Sequence, residues 1–119
     1  MDTRSLGAYG EEQAARYLRR HGYRILERNY RCRMGEIDII ARKGRYLVFA
    51  EVKLRKDDRF AEAREFVTYT KQRRILAAAS LYLSSHEEEL QPRFDVIEIY
   101  APHGETAPIR IEHIEDAFE

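Results

Sequence analysis

Three ionisable residues stand in a stretch of the sequence that is otherwise strongly apolar. Asp38 lies in one apolar run, 37–41 (IDIIA), while Glu51 and Lys53 lie in the next, 46–54 (YLVFAEVKL). Ionised side chains are almost never fully buried unless they pair with one another or bind a metal ion. The two carboxylates and the ammonium group therefore indicate a candidate ion pair or metal-binding site.

The two apolar runs predict the strands that would position these groups. Their β-branched and aromatic residues are bounded by glycine and charge, and a turn at 43–45 joins them. Both runs are apolar on both faces, which is typical of central, buried strands. Because side chains alternate between faces, Glu51 and Lys53 share a face, and the hairpin brings Asp38 near Glu51. Two such carboxylates can hold a hard cation through oxygen ligands, and the nearby ammonium group can orient a water or stabilise developing negative charge.

The spacing of these residues resembles the catalytic signature of the PD-(D/E)XK nuclease superfamily. An aspartate is followed about a hairpin later by Glu-x-Lys, here Asp38 and then 51–53 (Glu-Val-Lys). The segments RNYRCRMGEIDII, FAEVK, KQRR and RFDV are similar to the YraN-like family of small uncharacterised bacterial proteins, itself similar to archaeal Holliday-junction resolvases. This resemblance extends over about 7–99. The chain departs from the superfamily pattern at Ile37, where the superfamily name implies proline.

The resemblance implies a metal site and a reaction. Asp38, Glu51 and the Val52 carbonyl would bind Mg²⁺ or Mn²⁺, and Lys53 would act beside them. The implied function is a metal-dependent endonuclease that hydrolyses phosphodiester bonds of DNA, including branched or Holliday-junction-like DNA. Resolvases of similar fold work as symmetric dimers, so a homodimer is left open.

The beginning of the chain predicts a helix over about 6–21, with Gly22 where a C-cap glycine belongs. Glu11 is the charged residue on its apolar stripe, and from spacing alone it would be an acid complementing the helix dipole. In resolvase-like nucleases a Gly-Glu pair on the first helix contributes to the active site, and Gly10-Glu11 matches it. The resemblance therefore adds Glu11 to the catalytic residues and metal ligands. The stripe is predicted to consist of Ala8, Glu11, Ala15 and Leu18.

A second helix is predicted over 69–85, with Thr68 or Thr70 as its N-cap. Gln72 lies in line with its predicted apolar stripe and would point toward the charged end of the sheet. The basic residues in its first turn oppose the helix dipole, and a nearby phosphate would favour them. A satisfied buried glutamine beneath a solvated basic turn explains the same pattern equally well. The stripe is predicted to consist of Leu76, Ala79 and Leu83.

The charge distribution bears on a nucleic-acid partner. The chain has 21 Lys and Arg against 21 Asp and Glu, and a net charge of zero at first argues against such a partner. Basic residues nevertheless crowd 16–33, 53–56 and 71–74, and a neutral chain can carry a basic face. A merely solvated surface would show the same clustering of basic residues. The residues assigned to nucleic-acid binding, with DNA favoured over RNA, are Arg31, Arg33, Arg55, Lys71, Gln72 and Arg74.

The remaining segments complete the predicted fold. Strands are expected at 23–30, 93–100 and 109–114, with a polar loop at 56–68. Asp95 is expected to form an ion pair with an arginine. The order of elements predicts an α/β (α+β) mixed sheet of four or five strands flanked by helices, in one domain over residues 1–119. The resemblance supplies the name of this order, the restriction-endonuclease-like αβββαβ core.

Composition excludes several other classes of protein. No apolar run is long enough to span a bilayer, and the first residues lack the apolar region of a signal peptide. The single cysteine, Cys32, fits a reducing cytoplasm, so a cytoplasmic protein without a membrane partner is expected. The histidines share no spacing for a zinc site. The alternative function is a nucleic-acid-binding module that keeps the fold but does not cut. An interaction role for 60–66 has only its expected exposure in its favour.

Overall fold

The described residues of the computed structural model, 3–55, 67–86, 89–101 and 110–119, form two helices and five strands. The predicted loop at 56–68 lies outside them except for its last two residues, and so does the 60–66 segment. The elements in chain order are α1 (Thr3–Arg20), β1 (Arg24–Cys32), β2 (Gly35–Lys43), β3 (Tyr46–Arg55), α2 (Tyr69–Ser84), β4 (Gln91–Tyr100) and β5 (Arg110–Phe118).

The strands form one sheet in the order β1-β2-β3-β4-β5. The pairs β1–β2, β2–β3 and β4–β5 are antiparallel, whereas β3 and β4, which are separated in the chain by α2, are parallel. This arrangement confirms the predicted mixed sheet of four or five strands flanked by helices, and the elements from α1 to β4 follow the order αβββαβ. The first strand, β1, lies at an edge of the sheet.

Strands β2 and β3 are buried on both faces because each face of the sheet carries a core of its own. Val48 belongs to the core beneath α1, while its neighbour Phe49 belongs to the core beneath α2. On β2, Ile39 and Ile40 divide in the same way. Each fully buried aliphatic or aromatic side chain contributes about 1.5–3 kcal/mol. The continuous apolar pattern of both strands follows from this double cover.

The hairpin between β2 and β3 is tighter than the predicted turn of three residues. Lys43 pairs with Tyr46, so only Gly44 and Arg45 form the loop. Gly44 has φ 58, a left-handed conformation that glycine adopts without steric cost. This turn sets the register in which the two strands meet at their other end.

Helix α1 ends where the sequence predicts, but its buried face differs from the prediction. Gly22, with φ 86, ends the helix, and the Tyr23 N–H donates to the Leu18 carbonyl at 2.9 Å. The predicted contact residue Ala8 is exposed. Gly10 instead begins the face that packs on the sheet, since an added Cβ there would lie 3.5 Å from Leu54. The fully buried side chains of α1 are Ala14, Ala15 and Leu18.

Helix α2 is capped by Thr68, whose hydroxyl accepts from the Lys71 N–H at 3.1 Å, as predicted. Its buried face is rotated from the predicted stripe, because Leu76 and Leu83 are only partly buried. The apolar residues of this helix form two adjacent stripes, and either could be buried from the sequence alone. In the structure the stripe that faces the sheet is the one that includes Tyr82, whose ring contacts Phe49. The buried residues of α2 are Ile75, Ala78, Ala79 and Tyr82. Neither α1 nor α2 is long and apolar enough to cross a membrane over the described residues.

Candidate active site

The carboxylates of Asp38 and Glu51 lie close together where the β2–β3 ladder ends. The last backbone pair of that ladder before them is Ile39 with Ala50. The Glu51 carboxylate is near enough to act on the pKa of Asp38. Because side chains alternate along a strand, Glu51 shares the α2 face with Phe49, and only 4% of its surface is exposed. Two acids from neighbouring strands therefore meet at this end of the sheet.

Asp38 is anchored to the backbone of the neighbouring strand. Its Oδ2 accepts a hydrogen bond of 2.8 Å from the Val52 N–H, just beyond the last backbone pair of the ladder. In a strand, the N–H and C=O of one residue point toward the same neighbour. The Val52 carbonyl therefore lies on the side of Asp38. One carboxylate and one carbonyl oxygen are thus presented along the same edge of β3.

The surroundings of Asp38 disfavour its negative charge. Burial raises the pKa of Asp38 to about 7, and the nearby Glu51 and Glu11 carboxylates act in the same direction. The Val52 N–H and the Lys71 ammonium oppose the rise without cancelling it. A cation between the carboxylates would favour their charged forms.

Two ammonium groups converge on Glu51. Lys71, from the first turn of α2, brings its Nζ to 2.5 Å from Glu51 Oε1, and Lys53 Nζ lies 3.9 Å from the same oxygen. Although burial opposes it, the ion pair with Glu51 raises the pKa of Lys71. Burial and then the neighbouring Lys71 charge lower the pKa of Lys53. The sequence assigned Lys71 to phosphate binding, whereas in the structure it contacts a predicted metal ligand.

Glu11 lies at the margin of this group. Gly10 of α1 packs against Leu54 of β3, and Glu11 follows as a half-buried side chain near enough to act on the pKa of Asp38. Within the described part of the chain, no three His, Cys, Asp or Glu side chains are placed to hold one metal ion. Glu11 therefore does not join Asp38 and Glu51 in a three-acid cluster.

The donor set nevertheless fits the predicted ion. Mg²⁺ is bound in proteins by one or two carboxylates, and water and substrate phosphate fill its other positions. Asp38 and Glu51 supply those carboxylates, and the Val52 carbonyl is a further oxygen ligand of the same type. Burial, followed by the charge of Glu51, raises the pKa of Asp38, and a bound cation would favour its charged form.

A cleft of about 580 Å³ opens beside Lys71, between the β1–β2 turn and the first turn of α2. Gly35, with φ 154, allows the turn to approach the helix, because a Cβ there would lie 3.3 Å from the Arg74 carbonyl oxygen. Arg31 and Arg74 also line the cleft. Arg31 forms an exposed ion pair with Glu36 at 3.2 Å, which holds it only weakly. The cleft has three basic lining residues against one acid, Glu36, and through Lys71 it adjoins Glu51.

The chain matches the sequence model of the Uncharacterised protein family UPF0102 over residues 10–99. It belongs to this family. A UPF0102 protein of Geotalea daltonii is 48% identical over 119 residues, covering 99% of this chain and 92% of the relative. One from Pelobacter propionicus is 49% identical over 121 residues, covering 99% and 85%, and one from Caldanaerobacter subterraneus subsp. tengcongensis is 40% identical over 119 residues, covering 99% and 98%. These names give a family and no activity.

Three residues assigned to nucleic-acid binding do not line the cleft of this UPF0102 chain among the described residues. Arg33 is an exposed residue of the β1–β2 turn. The Gln72 amide donates to the Val67 carbonyl at 2.8 Å, so it stabilises the entry to α2. The Arg55 Nε donates to Glu98 Oε2 at 2.8 Å. Gln72 therefore contacts the backbone before α2, and Arg55 pairs with a buried acid.

Sequence reasoning missed the buried acid of β4. Glu98 has no exposed surface, and Arg55 and the Tyr100 hydroxyl both donate to its carboxylate. The sequence did contain a signal for this buried acid, because Glu98 lies between Ile97 and Ile99 just as Glu51 lies among apolar residues. Its partners lie on the same two parallel strands, so this acid stabilises the pairing of β3 with β4.

The predicted ion pair of Asp95 with an arginine is confirmed. Arg93, two residues away on β4, donates to Oδ1 at 3.0 Å and to Oδ2 at 2.8 Å. His113 Nε2 lies 2.6 Å from Oδ2, and the Asp116 N–H donates to Oδ1 at 3.0 Å. Although burial opposes it, these hydrogen bonds hold the pKa of Asp95 below its usual value. Asp95 is therefore fully satisfied where it lies.

Proposed function

We propose that this UPF0102 protein is a metal-dependent nuclease of the PD-(D/E)XK type, which hydrolyses phosphodiester bonds of DNA with Mg²⁺ or Mn²⁺. The observation that carries the proposal is the meeting of Asp38 and Glu51 at the end of the β2–β3 ladder, with Lys53 beside them. Their residue types and order are those of the superfamily's catalytic signature.

Each of these groups has a role in the proposed reaction. Asp38, Glu51 and the Val52 carbonyl would hold the metal, which when bound makes water more acidic and offsets charge on the phosphate. Lys53 would orient the attacking water or stabilise negative charge on the phosphate oxygens. Glu11 stays an accessory acid in this proposal, since it acts on Asp38 from the margin.

The basic cleft would receive the nucleic acid. Arg31, Lys71 and Arg74 line it, and contacts of this kind with phosphates give binding that depends on salt and little on base sequence. The preference for branched DNA, and the homodimer that would serve two cleavage points, rest on the resemblance to archaeal resolvases.

Cleavage of a panel of DNA molecules tests the proposal. Linear duplex, single-stranded and four-way junction DNA are incubated with the protein in Mg²⁺, in Mn²⁺ and in chelator. We expect cleavage only with metal, and we expect Asp38→Asn and Glu51→Gln to abolish it while DNA binding remains. Glu115→Gln, which removes an exposed carboxylate of β5, is the matched control and should cut like the wild type.

A second function, nucleic-acid binding without cleavage, is favoured by one observation. Lys71 and Lys53 already provide Glu51 with ion-pair partners, so this acid is partly compensated without a metal. Binding of several nucleic acids, with no cleavage under any metal condition and no metal uptake, would support this function and contradict the nuclease.

A further inference from the structure

Lys71 is paired with Glu51, the residue that the proposed function makes a metal ligand. Its Nζ lies 2.5 Å from Glu51 Oε1, and the glutamate is 4% exposed. Charge-assisted hydrogen bonds of this length are among the strong ones, and they engage the oxygen that accepts them. A cation seeking this oxygen therefore has to compete with an ammonium group that the protein itself supplies.

Lys71 and Lys53 already bring two positive charges to the surroundings of Glu51. Two carboxylates, Asp38 and Glu51, face two ammonium groups, Lys53 and Lys71. A divalent ion added to these four groups would leave an excess of positive charge in a largely buried place. Like charges in such surroundings repel strongly, so the arrival of the metal favours the departure of one ammonium group.

Lys71 is the group that can leave. Its side chain is 41% exposed, whereas that of Lys53, which projects from the central strand β3, is 25% exposed. Lys71 also lines the basic cleft together with Arg31 and Arg74. Its flexible stem allows the ammonium group to turn from the acid toward an anion in the cleft, and a phosphate there would offset the loss of Glu51.

We infer that Lys71 is a tethered counter-ion of Glu51 that links metal binding to nucleic-acid binding. A phosphate in the cleft draws the ammonium group away and leaves Glu51 to the metal, and the metal in turn releases Lys71 to the phosphate. The coupling is reciprocal, so each ligand tightens the binding of the other by the same factor. This inference rests on the proposed function, because it takes Glu51 to be a metal ligand.

The affinity for Mn²⁺, with and without a short DNA duplex, tests the coupling. Electron paramagnetic resonance reports free Mn²⁺, and gel electrophoresis after each titration reports whether the duplex is intact. For the wild type we expect DNA to tighten Mn²⁺ binding roughly tenfold. For Lys71→Met, which keeps the stem and removes the charge, we expect Mn²⁺ without DNA to bind roughly tenfold tighter than in the wild type, with DNA adding less than about twofold.

Two variants control this experiment. Arg73→Met removes a cation from the same helical turn, but Arg73 is exposed and its guanidinium lies over the Tyr69 ring at 5.9 Å. It should keep the affinity and the coupling of the wild type. Lys71→Arg, which retains the charge, should keep Mn²⁺ binding weaker than in Lys71→Met.

The outcomes separate this inference from the proposed function. If the wild type binds Mn²⁺ through Glu51, as shown by its loss in Glu51→Gln, and Lys71→Met binds Mn²⁺ no tighter, the coupling is overturned and the metal site stands. If neither the wild type nor Lys71→Met binds Mn²⁺ with or without DNA, both are overturned. Mn²⁺ binding that is detectable only with DNA or only in Lys71→Met supports the coupling.

Discussion

Two aspartates of the sheet, Asp38 and Asp95, differ in the direction in which their surroundings shift their pKa. Both oxygens of Asp95 accept hydrogen bonds from Arg93, His113 and the Asp116 backbone, and the pKa of Asp95 is lowered. Asp38 has the Val52 N–H as a donor, faces a second carboxylate, and its pKa is raised to about 7. The fold stabilises the negative charge of Asp95 with hydrogen bonds, whereas the surroundings of Asp38 disfavour its negative charge.

This difference distinguishes a structural acid from a candidate functional one. Buried polar groups are normally paired, and a departure from that rule that occurs beside a cleft is a mark of a functional site. Asp95 connects β4 to β5 through His113. Asp38 lies near a basic cleft, where an external cation and a phosphate would relieve its surroundings. The comparison therefore predicts opposite responses to substitution at the two positions.

The largest expected effect is on stability, from Asp95→Asn. This change leaves the buried guanidinium of Arg93 without its carboxylate, and breaking such a pair typically costs about 3–5 kcal/mol of unfolding free energy. Urea denaturation followed by circular dichroism measures the loss. Glu115→Gln, an exposed neighbour of Arg93 at 3.9 Å, should cost less than about 1 kcal/mol. Equal losses in the two variants would contradict a structural role for Asp95.

The next effect is a dependence of stability on pH, with opposite signs for the two acids. The folded state holds a proton on Asp38 between its ordinary pKa of 3.8 and about 7, so its contribution to stability falls as pH rises through that window. The full loss is roughly 4 kcal/mol, because each pKa unit corresponds to about 1.4 kcal/mol. Asp95 contributes above the ordinary pKa of an aspartate, and that contribution is lost as pH falls through its lowered folded-state pKa.

Asp38→Asn makes the first of these trends measurable. The amide does not titrate and its oxygen can still accept from Val52, so the variant should gain stability over the wild type as pH rises from about 4 to about 8 in chelator. Denaturation curves across this range report the difference. Saturating Mg²⁺ should stabilise the wild type and not the variant. A difference that is constant with pH would show that Asp38 keeps an ordinary pKa.

The smallest effect concerns the cleft beside Asp38. Arg74→Ala should weaken binding to all DNA sequences alike and reduce the slope of log affinity against log salt by about 1, because one phosphate contact is lost. Fluorescence anisotropy at several salt concentrations measures the slope. Arg19→Ala, an exposed cation in the last turn of α1, is the control and should leave it unchanged. A slope that Arg74→Ala does not alter would place the nucleic acid elsewhere.

Local patterns in the sequence were sufficient for the centre of the fold. The two apolar runs of β2 and β3 and the glycine in the turn between them predict a hairpin, and a hairpin brings Asp38 near Glu51. The helix ends at Gly22 and Thr68 were also predictable, because capping depends on residues within one turn. Each of these features involves neighbours in the chain or a single tight turn.

Contacts between distant elements were not predictable in this way. The rotation of α2 that buries Ile75 rather than Leu76 depends on how its side chains fit the sheet. The pairing of Lys71 with Glu51 then follows from the position of the first turn of α2 over β3. Arg55 was assigned to nucleic acid because nothing near it in the sequence marks its pairing with Glu98.

The sequence by itself therefore determined the order of the elements and the two acids that a hairpin brings near each other, because backbone periodicity and turn geometry are local. Only the tertiary structure decided which ammonium groups reach Glu51 and which acids are fully paired, because these depend on how helices pack against a sheet. The physical reason is that a lone carboxylate in an apolar strand has the same signature whether its partner is an arginine of the fold or an external cation.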